Sequence, residues 1–189
     1  MPGLRVWGIA VLGCISIIPV LVGPIITGTL VDFGGFSERA AGLTAGFGAI
    51  GSVSVALLCA LTMHHLPLRR LARAGLVLAA ASNAAAALLY TQQELFYTLR
   101  AIASFSDGAC YAAVMSSFAR EERSERCYGA FMMLQFGLAA IALYALPTYL
   151  PGMNVTQMYL GFATLNLVGL SLSGLLPDTA ARAEGISLQ

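Results

Sequence analysis

Six apolar stretches separated by short polar connections fill almost the whole chain. They cover residues 6–30, 40–63, 71–90, 95–118, 127–150 and 158–176. Each is close to or above the roughly 20 residues that a helix needs to cross a bilayer. Backbone in lipid must satisfy its own hydrogen bonds, which leaves helices and closed barrels. A barrel strand would alternate apolar and polar residues over short segments, and these stretches are apolar throughout. The pattern predicts an all-α, polytopic membrane protein with six transmembrane helices. The bundle spans residues 1–177, and a short polar tail occupies 178–189.

Composition narrows the functional classes. Only 10% of the residues are charged, against about 25% in ordinary soluble domains. Mean hydropathy is +0.80. A disordered tail, a secreted disulfide scaffold and a nucleic-acid partner are excluded on these grounds, the last for want of a basic surface. Cys14, Cys59, Cys110 and Cys127 show no paired spacing, so neither a metal site nor a disulfide framework is expected. His64 and His65 are adjacent and do not share a helix face. No Ser/His/Asp set stands at usable positions. The chain is therefore expected to be no enzyme and to carry no cofactor.

Arginine placement sets the orientation. All ten basic residues are arginine. With the N-terminus in the cytoplasm, eight fall on the inner side: Arg5, Arg69, Arg70, Arg73, Arg120, Arg123, Arg126 and Arg182. Arg39 alone lies outside, and Arg100 lies within a stretch. This bias follows the positive-inside rule and places both termini in the cytoplasm. The expected location is a bacterial plasma (inner) membrane. Trp7, Tyr90, Tyr97, Tyr149 and Tyr159 lie near stretch ends, where interfacial aromatics are expected.

The fourth stretch carries the chemistry. An intramembrane charge costs about 2.5 kcal/mol or more on insertion scales and tends to mark a pathway. Arg100 and Asp107 are two helical turns apart on one face, with Ser104 between them and Tyr111 one turn beyond. The stripe Arg100, Ser104, Asp107 and Tyr111 reads as the wall of a water-filled cavity. Asp107 would be its titratable proton carrier, and Arg100 would modulate it or bind an anion. The bland alternative is a polar clamp to neighbouring helices. Gly42, Gly46, Gly48 and Gly51, followed by Ser52 and Ser54, read as tight packing in the bundle, and the Gly42–Gly46 pair has the spacing of close helix approach. Pro19 and Pro24 in the first stretch predict a bent helix.

The arrangement resembles the N-terminal half of a major facilitator superfamily transporter. The resemblance covers roughly residues 5–177. Its best local match is Arg120-Glu-Glu-Arg-Ser-Glu-Arg126-Cys-Tyr-Gly129, similar to the family's charged link into helix five. Arg100 with Ser104 and Gly108 downstream resembles the family's helix-four arginine motif, with serine where that motif prefers glycine. In the loop after helix two the family reads Gly-x-x-x-Asp-Arg-x-Gly-Arg-Arg. Here Leu61 and His65 stand at the first glycine and the aspartate, and only Arg69 and Arg70 match. The resemblance implies a gating role for Arg69 and Arg70. It also implies secondary active transport of a small solute, with proton coupling, symport included. Family members place their site between two six-helix halves, so the expected partners are the lipid bilayer, the solute, and a second copy or a separate second half. The alternative function is a non-transporting membrane subunit, either substrate-binding or structural.

Overall fold

A computed structural model describes residues 3–62 and 67–178. Among them are seven α-helices: α1 (Leu4–Leu21), α2 (Gly23–Asp32), α3 (Glu38–Thr62), α4 (Leu68–Leu89), α5 (Gln93–Phe118), α6 (Ser124–Tyr149) and α7 (Val155–Leu172). A 3-10 turn, Ser173–Leu175, closes the last helix. Five segments are long and apolar enough to cross a membrane: Leu4–Leu21, Glu38–Cys59, Leu68–Leu89, Ser124–Tyr149 and Val155–Leu175. The protein is an all-helical integral membrane protein.

One expectation is corrected. The first stretch is two helices rather than one bent span. Pro24 has no N–H to give to the carbonyl one turn back, and the backbone leaves helical geometry at Val22 (φ −95°, ψ 18°). Pro24 then sits in the first turn of α2, where a missing donor is harmless. Of the six expected spans, five correspond to segments that qualify by length and composition. With 26 residues, α5 is long enough, but Arg100, Asp107 and its serines leave it too polar to qualify as an apolar span. Its position explains this. It is the central helix, packed between α3 and α4, with α1 also against it. In addition, α4 packs on α7, and α6 rests mainly on α1.

Smaller boundaries shift for identifiable reasons. Arg39 lies in the first turn of α3, not in a connection. Pro147 lies inside the end of α6, whose helix runs on to Tyr149. Asn154 and Gln157 form a reciprocal capping box that starts α7 at Val155, satisfying two otherwise orphaned donors.

Close helix approach occurs in α3 at Gly48 and Gly51, but not at the Gly42–Gly46 pair. A side chain added at Gly42 or Gly46 would meet nothing within 4 Å. At Gly51 it would collide with the Ala101 carbonyl and come within 3.0 Å of the Phe105 backbone nitrogen. At Gly48 it would lie 3.1 Å from Ser104 Oγ, and at Gly108 it would collide with Val55. The tight seam therefore joins the second half of α3 to the middle of α5. On the other side of α5, a Cβ at Gly75 would lie 2.5 Å from the Ser106 carbonyl. Small residues thus bring backbones together on both flanks of the polar helix.

At the end of the bundle where α1 and α4 begin, three arginines hold the end of α7. Arg5 Nε donates to the Leu175 carbonyl at 3.0 Å, and Arg69 Nε to the Leu176 carbonyl at 3.0 Å. Arg73 Nε donates to Ser173 Oγ at 3.1 Å. Cations are favoured at the negative end of a helix, where carbonyls lack partners. His64, His65 and residues 179–189, Arg182 included, lie outside the described residues, as do the last position of the predicted second stretch and most of the predicted tail.

Candidate functional site

The helix-four stripe is largely buried. Arg100 is 6% exposed, Ser104 8% and Asp107 5%, while Tyr111 is half-buried. Ordinary charged side chains are almost never this buried unless paired. Arg100 NH1 donates to Asn83 Oδ1 on α4 at 3.0 Å. Its guanidinium carbon also lies 5.2 Å from the centre of the Tyr159 ring on α7, within cation–π range. Asn166, two turns along α7 from Tyr159, approaches the Asp107 carboxyl without completing a hydrogen bond through its Nδ2, and Arg100 acts on the same carboxyl through its charge. Two seven-residue spacings therefore face each other: Arg100 with Tyr159, and Asp107 with Asn166.

This cluster is incompletely satisfied. Asp107 Oδ1, Asn83 Nδ2, Tyr159 OH and Asn166 Nδ2 are buried without a hydrogen-bond partner. An unmade hydrogen bond on a buried polar atom costs about 1–3 kcal/mol, so four in one cluster mark it apart from inert packing.

A cavity of about 540 Å³ opens on the other side of α5. Its walls come from α1, α2, α3 and α5, and Arg100, Ser104, Asp107 and Tyr111 all contribute to them. The walls are otherwise mostly apolar or small, with hydroxyls at Ser16, Thr27, Thr44 and Ser52. Both halves of the broken first stretch take part, through Pro19, Val20 and Gly23 around the break. The four stripe residues predicted from sequence thus share one cavity. The hydrogen bond of Arg100 goes off the stripe, to Asn83.

Asn83, Tyr159 and Asn166 were not singled out as site residues from sequence. Tyr159 in particular is no interfacial aromatic: it is fully buried, packed edge-on against Phe96 and Phe162. Of the predicted gating pair, Arg69 is engaged with Leu176 and lies 3.8 Å from Asp178, and Arg70 is exposed in the first turn of α4. Neither approaches the cavity wall. The four cysteines are buried and free. Among the described residues no group of three His, Cys, Asp or Glu side chains comes together to hold a metal.

No protein-family model matches the sequence, and neither the curated proteins nor the solved structures give a match.

Proposed function

We propose that this chain is a membrane transport protein for a small solute rather than an enzyme, in the manner of half of a major facilitator transporter, with Asp107 carrying the coupling proton. One observation carries the reading: a buried carboxylate oxygen without a partner belongs to a residue in the wall of a sizeable cavity inside a membrane-embedded bundle. A carboxyl in such a place can alternate between protonated and ionised as the cavity is exposed to one side or the other. Ionisable groups inside membranes characteristically line such pathways. The break at Val22 gives the cavity wall a joint at which α1 and α2 can change their relative angle, a common property of discontinuous transporter helices.

The arginine distribution supports a cytoplasmic location for both termini in a bacterial plasma membrane. A homodimer, or a complex with a second six-helix half, would cover the outer faces of α3 and α6. A second reading is a substrate-binding subunit, for which a cavity of about 540 Å³ would hold the solute without alternating its access.

The test is reconstitution in liposomes with an internal pH-sensitive dye and a panel of solutes. The wild-type chain is expected to accumulate its solute under an imposed pH gradient. Asp107→Asn keeps the shape and is expected to abolish accumulation while sparing binding. Full pH-driven accumulation by Asp107→Asn would make Asp107 a structural clamp. Saturable binding without accumulation by the wild-type chain would favour the binding subunit.

A further inference from the structure

Three of the hydroxyls that line the cavity have already committed their hydrogens. Thr44 Oγ1 donates to the Ala40 carbonyl at 3.1 Å, and Ser52 Oγ to the Gly48 carbonyl at 3.2 Å. Ser16 Oγ donates to the Leu12 carbonyl at 2.9 Å. Each of these hydroxyls spends its only hydrogen on its own helix one turn back. A hydroxyl has one donor and two acceptor lone pairs, so toward a ligand these three retain lone pairs only. Asp107 adds a carboxyl to the wall, and an ionised carboxylate only accepts.

The single basic residue of the wall does not offset this. The guanidinium of Arg100 is turned to Asn83 on α4 and the Tyr159 ring on α7, two helices that contribute nothing to the cavity wall. Arg100 lines the cavity, but its guanidinium is thereby engaged with α4 and α7. An anion entering the cavity would meet the free hydroxyl hydrogens of Thr27, Ser104 and Tyr111, but also the Asp107 carboxylate, which repels it. A donor-bearing cation would meet the acceptors it needs, inside otherwise apolar walls.

We propose that the cavity binds small amphiphilic organic cations, ammonium compounds with an apolar body, through a charge-assisted hydrogen bond to Asp107. This rests on the transport reading for its biological purpose but not for its chemistry, since binding requires no transport. It reverses the anion preference that Arg100 suggests in the sequence. The apolar walls from α1 and α3 would take the body of the ligand. The Asp107 carboxylate would take the ammonium, with Thr44 and Ser52 as secondary acceptors.

Three ligands with one apolar body separate the possibilities: 4,4-diphenylbutylamine, 4,4-diphenylbutan-1-ol and 4,4-diphenylbutyrate. Titration calorimetry on the purified full chain in mild detergent at neutral pH is expected to rank the amine tightest and the carboxylate weakest. Asp107→Asn is expected to weaken the amine by about 10- to 100-fold, the worth of a hydrogen bond to a charged group, and to leave the alcohol unchanged. Ala45→Leu, which fills the cavity without touching Asp107, is expected to weaken amine and alcohol alike. This second variant keeps the test decisive if Asp107→Asn fails to fold. Carboxylate binding equal to or tighter than that of the amine overturns the proposal. So does unchanged amine affinity in Asp107→Asn, or no binding by any of the three. Amine binding of the expected pattern with no pH-driven uptake in liposomes would keep the cation site and reject the transport reading.

Discussion

The two sides of α5 differ in a way that separates charge from function. Toward α4 and α7 the helix is polar and closed: Arg100 is held by Asn83 and Tyr159, and Gly75 lets the backbones of α4 and α5 meet. Toward α1, α2 and α3 it is mostly apolar and open, with a cavity of about 540 Å³. Asp107 belongs to both sides, interacting with Asn166 on one and entering the cavity wall on the other. A buried charge is therefore not by itself the address of a ligand site. Arg100 is the more conspicuous residue in the sequence, yet its head group is consumed in joining helices. The residue with capacity left over is Asp107.

The largest expected effect is at the seam that keeps the open side in register. Gly51→Val places a branched side chain against the backbone of Ala101 and Phe105, where nothing flexible can give way. A loss of about 3 kcal/mol or more is expected, at the upper end of overpacking costs. It should be visible as a sharply lowered thermal midpoint in detergent. Gly42→Ala, two and a half turns away and facing open space, should change stability by less than about 0.5 kcal/mol or raise it slightly, as Ala is the better helix former. Equal losses at both positions would mean that the seam lies elsewhere.

On the closed side, Arg100→Ala leaves Asn83 Oδ1 without its donor and removes the cation over Tyr159. A loss of about 1–3 kcal/mol is expected from the orphaned acceptor. Arg100→Lys should be milder, since charge is kept while the planar group that stacks on the ring is lost. Thermal melts of the two variants beside wild type provide the comparison.

The smallest effect distinguishes the two components of the Tyr159 contact. Tyr159 OH is buried and unpartnered, so Tyr159→Phe removes an unsatisfied group and keeps the ring. Stability should be unchanged or raised by up to about 1 kcal/mol. Tyr159→Leu removes the ring and should cost about 1–2 kcal/mol through the lost cation–π contact and packing. A strongly destabilised Tyr159→Phe would mean that the hydroxyl has a partner after all.

Much of the helical architecture was legible because lipid leaves the backbone so few options. The apolar stretches at 40–63, 71–90, 127–150 and 158–176 correspond within a few residues to α3, α4, α6 and α7. The stripe on α5 was legible for a related reason: Arg100 and Asp107 are conspicuous on an apolar background, and their spacing places them on one face. The partners were less visible. Asn83 sits alone in a run of alanines, and Asn166 alone in α7. Tyr159 lies one turn inside its helix, where a buried ring and an interfacial ring look alike in sequence. The signal that could have found two of them is the seven-residue step from Tyr159 to Asn166, which repeats the step from Arg100 to Asp107. The glycines show the opposite limit. Helix α3 carries Gly42, Gly46, Gly48 and Gly51, and spacing alone does not say which of them face a neighbour. That depends on the rotation of α3 against α5, a property of packing rather than of either sequence segment.

The claim that the α3 side of α5 is the open side can be measured directly by substituted-cysteine labelling. On a cysteine-free background, Ser52→Cys lies in the cavity wall, and Asn83→Cys lies behind Arg100 on the closed side. A small, positively charged thiol reagent applied to open membrane fragments should modify Ser52→Cys rapidly, and prior addition of 4,4-diphenylbutylamine should slow that reaction. The same reagent should leave Asn83→Cys unmodified until the protein is denatured. Rapid modification of Asn83→Cys with Ser52→Cys untouched would contradict the account, because water and ligand would then reach the bundle from the side of Arg100.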